Sequence, residues 1–157
     1  MSDLNSTRLR ELLSYNATTG AFARRNPRDA RPVGCINTIG YHQINVAGKL
    51  YYGHRLAWLY AYGEWPAGCI DHINGDRADN RIQNLRVVTR GQNAQNLRKA
   101  KATNPYLGVS LHKASQLWHA RIRLHGVTTS LGYHQTPEAA HKVYVYAKRK
   151  LHEFGTL

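Results

Sequence analysis

Hydrophobic and polar residues alternate through the C-terminal third of the chain, which is the pattern of β-strands with one buried face. Segments 108–112, 117–124 and 127–131 show this period of two and predict three antiparallel strands. A Thr-Pro-Glu sequence at 136–138 then predicts the start of a helix, because proline fits the first helical position. The helix carries one apolar stripe, formed by Ala139, Ala140, Val143, Ala147 and Leu151. We therefore expect a small sheet with one helix packed across its apolar face.

The same alternation assigns the side chains of this sheet to two faces. The apolar face is predicted to hold Val109, Leu111, Trp118, Ala120, Ile122 and Leu124, with Val127 and Leu131 also turned inward. The opposite face is polar and includes His119 together with Ser110, His112, Arg121, Arg123, Thr128 and Ser130. A sheet surface that bears arginines can lie in the major groove of DNA, and a solvated face without a partner is the simpler alternative.

The N-terminal part of the chain predicts shorter and more irregular elements. A short amphipathic helix capped near Ser6 or Thr7 is indicated by the spacing of Leu4, Leu9, Leu12 and Leu13. Glycines then separate strand-like pieces, with a tight turn at 47–49; the pieces are 20–23, 34–36, 41–46 and 50–52. Aromatic and aliphatic residues at helical spacing predict a second helix over 54–62, with Gly63 as its C-cap.

A strand, a long loop, a second strand and a helix are predicted over the next segment. The strands are 69–73 and 85–88, and the sequence Asn-Gly-Asp at 74–76 predicts a turn after the first of them. Thr89 with Gln92 three residues later fits a capping box, which predicts a helix that continues to Leu97. Basic residues follow as far as Asn104, so we expect a linker there.

The net charge of the chain indicates the class of molecule that it binds. The chain of 157 residues holds 22 Lys and Arg against 9 Asp and Glu, a net charge of +13 with a pI near 10.1. Such a field attracts polyanions, and nucleic acid is favoured over a membrane because no basic amphipathic helix with a free apolar face is evident. The sequence shows neither a signal-peptide core nor a membrane-spanning run, and its 2 cysteines suit a reduced, cytosolic protein.

The adjacent residues Asp71 and His72 are the strongest candidates for chemistry. Hydrolysis of a phosphodiester needs an activated water and neutralisation of charge on the leaving oxygen. His72 can activate water, and oxygens of Asp71 and Asn93 suit a divalent cation. Neighbours on a strand point to opposite faces, so the two side chains need a bend or bulge to converge. The simpler alternative is a turn that is rich in Asn and Asp because turns favour them.

The sequence leaves the roles of four further residues open. Asp76 and Asp79 either tune metal affinity or are solvated acids of the turn. His54 either contacts a phosphate or fills the core. Asn96 is the alternative to Asn93 as an oxygen ligand.

An ordered set of motifs over residues 9–97 resembles the phage-type HNH homing endonucleases. The motifs are His54-Arg55-Leu56-Ala57-Trp58, Ile70-Asp71-His72-Ile73-Asn74-Gly75-Asp76, Asp79-Asn80-Arg81-Ile82-Gln83-Asn84-Leu85-Arg86 and Gln92-Asn93. The resemblance implies a ββα-metal (His-Me) finger that cuts DNA with one divalent ion. It implies His72 as general base, Asn84 as a brace of the histidine loop, and Asp71 and Asn93 as metal ligands. It favours Mg²⁺, with Mn²⁺ as a substitute and no structural zinc.

Residues 106–157 resemble the Apetala-type (ethylene-response-factor) DNA-binding domain. The landmarks are Tyr106-Leu107-Gly108-Val109, Trp118-His119-Ala120-Arg121-Ile122-Arg123, Leu131-Gly132-Tyr133 and Thr136-Pro137-Glu138-Ala139-Ala140. Such domains occur fused to phage HNH nucleases. Leu107 and Ser110 stand where plant members usually have arginine, and Arg121 stands where they have glutamate. The resemblance therefore implies the fold but not the plant DNA sequence.

Together these features predict an α+β protein in which a ββα-metal nuclease domain precedes a three-stranded antiparallel sheet on one helix. The expected domains are 1–97 and 106–157, with a basic linker at 98–105. The predicted activity is site-specific, metal-dependent cleavage of double-stranded DNA by a chain for which a monomer is favoured. The alternative is a non-catalytic DNA-binding regulator on a degenerate nuclease fold. Besides the sheet face, the predicted DNA contacts are Arg24, Arg25, Arg98, Lys99 and Lys101.

Overall fold

The computed structural model describes residues 4–26, 28–29, 31–95, 104–124 and 126–152. The chain forms two compact units, 1–89 and 90–157. In the first unit the elements are α1 (Ser6–Leu12), β1 (Leu13–Tyr15), β2 (Phe22–Arg24), β3 (Cys35–Ile36), β4 (His42–Val46), β5 (Lys49–Tyr52), α2 (Gly53–Tyr62), β6 (Cys69–His72), a 3₁₀ turn (Ile82–Asn84) and β7 (Leu85–Val88). In the second they are α3 (Arg90–Gln95), β8 (Val109–His112), β9 (Leu117–Leu124), β10 (Val127–His134) and α4 (Pro137–Leu151).

Three small antiparallel sheets make up the strands of the first unit: β1 with β2, β3 with β4 and β5, and β6 with β7. A hydrophobic core joins them to the helices, and its largest fully buried side chains are Leu9, Phe22, Ile44, Leu56 and Leu59. Burying one such side chain contributes about 1.5–3 kcal/mol to folding. This core supports α2 and the β6–β7 pair, which carries the candidate catalytic residues.

Two local features of the first unit, the N-cap of α1 and the turn between β4 and β5, bear on the predictions from sequence. The cap of α1 is Asn5, whose side chain accepts a hydrogen bond from the Arg8 amide, so the cap lies one position before Ser6 and two before Thr7, near which it was predicted. The predicted turn between β4 and β5 is confirmed. Ala47 and Gly48 both have positive φ there, 51° and 83°, which matches the twist that a two-residue hairpin requires.

The predicted strands and helix of the second unit are present. The sheet has the order β10-β9-β8, and α4 packs against it with Ala140, Tyr144 and Ala147 buried. The side chain of Thr136 accepts from the amide of Ala139 and caps α4, with proline in the first turn. This unit is a three-stranded antiparallel sheet on one helix, and the whole chain is a mixed α/β protein with small antiparallel sheets.

Two predicted core positions of this sheet are wrong. Val127 is 67% exposed and Leu111 is 43% exposed, so neither is covered by α4. Both lie near the end of a strand, where the single helix leaves the apolar face open to solvent. The last strand also continues to His134, beyond the predicted end at Leu131, and pairs with β9 again after a register irregularity between Ser130 and Tyr133. No helix in the described ranges is long and apolar enough to span a membrane.

Candidate active site

Asp71 and His72 end strand β6, and both side chains are buried, with 6% and 4% exposure. In the antiparallel pairing with β7, Asp71 lies opposite Arg86 and His72 lies opposite Leu85. The two side chains need a bend or a bulge to converge, and the register of this pair runs without a shift, so it contains no bulge. The two side chains accordingly have different neighbours.

The carboxylate of Asp71 is paired with the guanidinium of Arg86. Oδ2 of Asp71 accepts a hydrogen bond from Nε of Arg86 at 2.8 Å and forms an ion pair with Nη2 of the same guanidinium at 2.7 Å. A buried carboxylate needs such a partner, since an unpaired charge is costly away from water. Arg86 was not predicted as a site residue. The sequence did contain a signal for this pair, because Asp71 and Arg86 lie directly opposite each other once the two predicted strands are aligned.

His72 lies in a group of aromatic rings. Its ring centroid is 5.1 Å from that of His54 and 6.0 Å from that of Tyr41. Burial lowers the pKa of His72 below its ordinary value, and a contact with Asn80 and the charges of Asp71, Asp76 and Asp79 oppose this shift. The imidazole is therefore kept neutral near physiological pH, which is the state that accepts a proton.

His54, for which the sequence left two roles open, is buried next to His72. It stacks on Tyr52 with 5.4 Å between centroids, and its Nδ1 has no hydrogen-bond partner in the part of the chain that the structure describes. Burial, followed by repulsion from Arg55 and from His72 when that ring is protonated, lowers the pKa of His54 to about 3. Its burial favours the interpretation of His54 as a packed ring over a surface phosphate contact.

Asn84 ties down the loop that follows β6. Its Oδ1 accepts from the backbone amide of Asn74 at 2.9 Å, and its Nδ2 donates to Oδ1 of Asn74 at 3.0 Å and to the carbonyl of Asp79 at 2.9 Å. The Asn84 carbonyl also accepts from the amide of Ile73. These bonds link the start of β7 to both ends of the loop that begins after His72.

The two turn acids are engaged within the loop. Hydrogen bonds from Arg81 lower the pKa of Asp79 to about 2, and Asn74 donates to the same carboxylate. Oδ1 of Asp76 accepts from the amide of Ala78. Both carboxylates thus stabilise the turn, which favours their role as turn acids over a role in tuning metal affinity.

Asn93, the second predicted ligand, lies on α3 in the second unit and is exposed. Its pairing with Asp71 stays a prediction, and Asn96 lies outside the described residues. Among the described side chains, no three from His, Cys, Asp and Glu form a group that could hold a metal ion.

The polar face of the C-terminal sheet is held together by side-chain contacts. Arg121 Nη2 donates to Oγ of Ser110 at 3.1 Å, and His119 Nε2 lies 2.8 Å from Oγ of Ser130. Thr128 pairs with Arg123 across β9 and β10, and Arg123 Nε donates to the carbonyl of Gly126. The predicted contacts Ser110, Arg121, Arg123, Thr128 and Ser130 thus share one side of the sheet.

Histidines add to this face. Nδ1 of His112 lies 2.8 Å from Oγ of Ser115, so this exposed ring is held at the end of β8. Burial and then the charges of Arg121 and His112 lower the pKa of His119. The face therefore carries arginine charges beside an imidazole whose pKa lies below its ordinary value.

The remaining predicted DNA contacts are outside this sheet. Arg24 and Arg25 are exposed and line an open groove of about 960 Å³ in the first unit, and Nη1 of Arg25 donates to the carbonyl of Arg10. The three linker cations lie outside the described residues: Arg98, Lys99 and Lys101.

Comparison with known proteins gives three findings. Residues 51–95 match the family model for HNH endonucleases. Protein 3.8 of Escherichia phage T7 is 28% identical over 101 residues, which are 63% of this chain and 83% of that protein. A solved structure that reports DNA binding and cleavage by the HNH homing endonuclease I-HmuI is 26% identical with a TM-score of 0.44, and the match covers 54% of this chain and 51% of that one. The chain thus spans about half the length of that enzyme.

The family match begins in β5 and ends with α3. It includes all four residues that the sequence assigned to the chemistry: Asp71, His72, Asn84 and Asn93. The Apetala-type resemblance lies beyond the matched segment and stays a prediction. Residues 51–95 of this chain match an HNH endonuclease domain.

Proposed function

We propose that this chain is a site-specific, divalent-metal-dependent DNA endonuclease of the homing type, with His72 as the general base. The observation that carries the proposal is the setting of His72 within the segment that matches the HNH endonucleases. The ring is buried at the end of β6, burial lowers its pKa, and Asn84 fixes the loop that follows it. A neutral imidazole in a fixed position is what a general base requires.

In the proposed reaction His72 takes a proton from a water molecule as the water oxygen forms a bond to the scissile phosphorus. The bond from phosphorus to the 3′-oxygen then breaks, and the departing oxygen receives a proton from solvent. The products carry a 5′-phosphate and a 3′-hydroxyl. A positioned base of this kind contributes roughly 10²–10⁴ in rate.

Asp71 is the residue that we propose to hold the metal, with Asn93 as a second ligand. A carboxylate and a carboxamide provide hard oxygens, which fit Mg²⁺ or Mn²⁺ and suit Zn²⁺ less well. The bound ion would supply charge neutralisation at the phosphate and at the leaving oxygen. Arg86 holds Oδ2 of Asp71 by a hydrogen bond from Nε and an ion pair with Nη2, so we propose that it orients the carboxylate.

The polar face of the C-terminal sheet is proposed to bind the DNA. Arginines on this face suit guanine edges, and its hydroxyl groups suit phosphates. The net charge of +13 supports a polyanionic partner for the chain as a whole. Arg24, Arg25 and the linker cations would add contacts to the DNA backbone.

The decisive experiment incubates the full chain with supercoiled plasmid in Mg²⁺ and, separately, in EDTA. We expect nicked or linear product in Mg²⁺ alone, and no product from the variant His72→Ala, which should still bind DNA. His134→Ala removes a histidine from the second unit and should cleave as the unaltered chain does. Tight DNA binding without cleavage in any divalent metal would contradict the proposal and favour a non-catalytic regulator. Full cleavage by a folded His72→Ala protein would contradict the role of the base.

A further inference from the structure

Strand β10 contains an irregularity that changes which residues reach the polar face of the sheet. Ser130 pairs with Arg121 and Tyr133 pairs with His119, so three steps along β10 match two steps along β9. The extra residue lies at Leu131–Gly132, where Gly132 has a φ of 101°. Glycine adopts this value readily, whereas residues with a side chain do so rarely, and such a conformation is typical of a β-bulge.

The bulge reverses the side to which Tyr133 points. Regular alternation from Ser130 would place Tyr133 on the apolar face with Leu131. After the bulge it shares the face of His119 and Arg121, and its ring stacks on His119 with centroids 4.3 Å apart. A second interaction, edge to face with His112 at 5.3 Å, holds the same ring.

Tyr133 therefore presents a polar group on a fixed ring. Its side chain is 50% exposed, and its hydroxyl has no hydrogen-bond partner among the residues that the structure describes. Both ring interactions limit the rotation of the side chain, so little further entropy is lost when the hydroxyl binds a ligand. Its neighbours on the face include Arg121, whose charge attracts anions.

We propose that the hydroxyl of Tyr133 donates a hydrogen bond to a backbone phosphate of bound DNA, and that the bulge at Leu131–Gly132 is what places it there. The inference rests on the proposed binding of DNA by this sheet face. Neutral hydroxyl donors usually contact phosphates rather than bases, which fixes the register of a protein on the duplex without reading sequence. A neutral group that binds a phosphate also releases no counterion, so it leaves a distinct signature in salt.

The test is DNA binding by the full chain in EDTA, where no cleavage is expected. The probes are a duplex that the full chain selects from a random pool and a scrambled duplex of the same composition. Tyr133→Phe removes only the hydroxyl and should weaken binding to both duplexes by about tenfold. The slope of log affinity against log salt should not change. Tyr146→Phe is the matched control, because Tyr146 is similarly exposed, at 62%, but lies on α4.

Wild-type affinity of Tyr133→Phe for both duplexes would overturn the inference, as would weaker binding to the selected duplex alone. The double variant Arg121→Ala/Arg123→Ala, measured in the same titration, distinguishes the role of Tyr133 from that of the sheet face as a whole. If it loses affinity while Tyr133→Phe does not, the sheet binds DNA and only the assignment of Tyr133 fails. If it also binds as the unaltered chain does, the proposed DNA-binding face itself fails.

Discussion

The imidazole rings of His54 and His72 meet edge to face, with 5.1 Å between their centroids. Two histidines at this distance cannot both carry a proton without repulsion, and burial already disfavours the charged form of each. His54 lies at the start of α2 and His72 ends β6, so the two rings join elements that are separate in sequence. Packing of His54 thus contributes to the neutral state and to the position of the proposed base.

The pH dependence of stability should report on His54. Burial lowers its pKa from 6.5 to about 3 in the folded protein, whereas the unfolded chain keeps the ordinary value. Above pH 6.5 the imidazole is neutral in both states. As the pH falls from 6.5 towards 3, only the unfolded state takes up the proton, so folding stability is lost, by about 1.4 kcal/mol per pH unit at most.

Urea unfolding at pH values between 7.5 and 4.5 checks this prediction. His54→Phe keeps an aromatic ring against Tyr52 but cannot be protonated, so its stability should fall less steeply with acid. Above pH 7 the two proteins should show the same slope, which serves as the internal control. The charged groups that add to the shift, His72 and Arg55, remain in both proteins, and so do the rings of Tyr41 and Tyr52 that contact His54. Parallel slopes at all pH values would show that His54 is not held neutral by the fold.

Replacement of Asn84 should affect both folding and catalysis. Asn84→Ala removes three side-chain hydrogen bonds at a buried position and leaves the amide of Asn74 and the carbonyl of Asp79 without their partner. We expect a loss of about 2–4 kcal/mol in unfolding free energy. Because the loop after His72 is then no longer tied to β7, cleavage should fall more than DNA binding does.

Asn45→Ala is the matched control for this change, since Asn45 is exposed and its side chain accepts one hydrogen bond, from the amide of Gly48. Thermal unfolding and plasmid nicking of both variants provide the measurement. An Asn84→Ala protein as stable and as active as Asn45→Ala would mean that the bonds to Asn74 and Asp79 do not hold the loop.

Much of the architecture could be predicted because it follows from local patterns. The strands β8 and β9 and the start of α4 lie where alternation and the Thr-Pro-Glu sequence indicate. The bulge in β10 could not be predicted from alternation, because a single extra residue changes the face of Tyr133 without changing the residues before it. Exposure of Val127 was missed for a related reason: one helix cannot cover both ends of the sheet.

At the candidate site, residue types were predictable and side-chain partners were not. A buried acid requires a partner, but the sequence offers many arginines, and only the register of β6 with β7 selects Arg86 for Asp71. His54 likewise depends on tertiary packing, since its place in α2 says nothing about which ring it meets. Asn84 is the exception, because the motif resemblance already implied that it braces the loop.

Replacement of the proposed ligands, Asp71 and Asn93, should lower metal affinity more than replacement of the loop acid Asp76. Asp71→Ala removes the only charged ligand of the proposed pair and should raise the Mg²⁺ concentration needed for cleavage more than Asn93→Ala does. Excess Mn²⁺ should partly restore Asn93→Ala, because a carboxamide contributes less to binding than a carboxylate. Asp76→Ala is the control, since that carboxylate accepts from a loop amide and is not a proposed ligand.

Isothermal titration with Mn²⁺ and cleavage at graded Mg²⁺ are the measurements for these three variants. Titration curves for Asp71→Ala and Asn93→Ala that coincide with those of Asp76→Ala would place the ligands elsewhere. Circular dichroism of Asp71→Ala is needed alongside, because that change leaves Arg86 buried without its carboxylate.

The arginines of the sheet face and the cations of the linker should contribute differently to DNA binding. Arg121→Ala/Arg123→Ala removes the arginines of the sheet face and should reduce discrimination between a selected and a scrambled duplex, by roughly 1–3 kcal/mol for each base that an arginine no longer binds. Arg98→Ala/Lys99→Ala should instead weaken binding to both duplexes alike, since cations that bind phosphates carry no sequence information. The salt slope of the second variant should decrease by about one for each phosphate that is no longer neutralised.

A third double variant, Lys142→Ala/Lys150→Ala, controls for the loss of two positive charges, because both lysines are exposed and lie on α4 rather than on a strand of the sheet. It should change affinity least of the three, since charges distant from the DNA are screened beyond about 10 Å at 0.1 M salt. Binding is measured across a salt series in EDTA. Equal loss of discrimination in all three variants would mean that net charge alone governs binding, and the arginine face would then have no part in choosing the site.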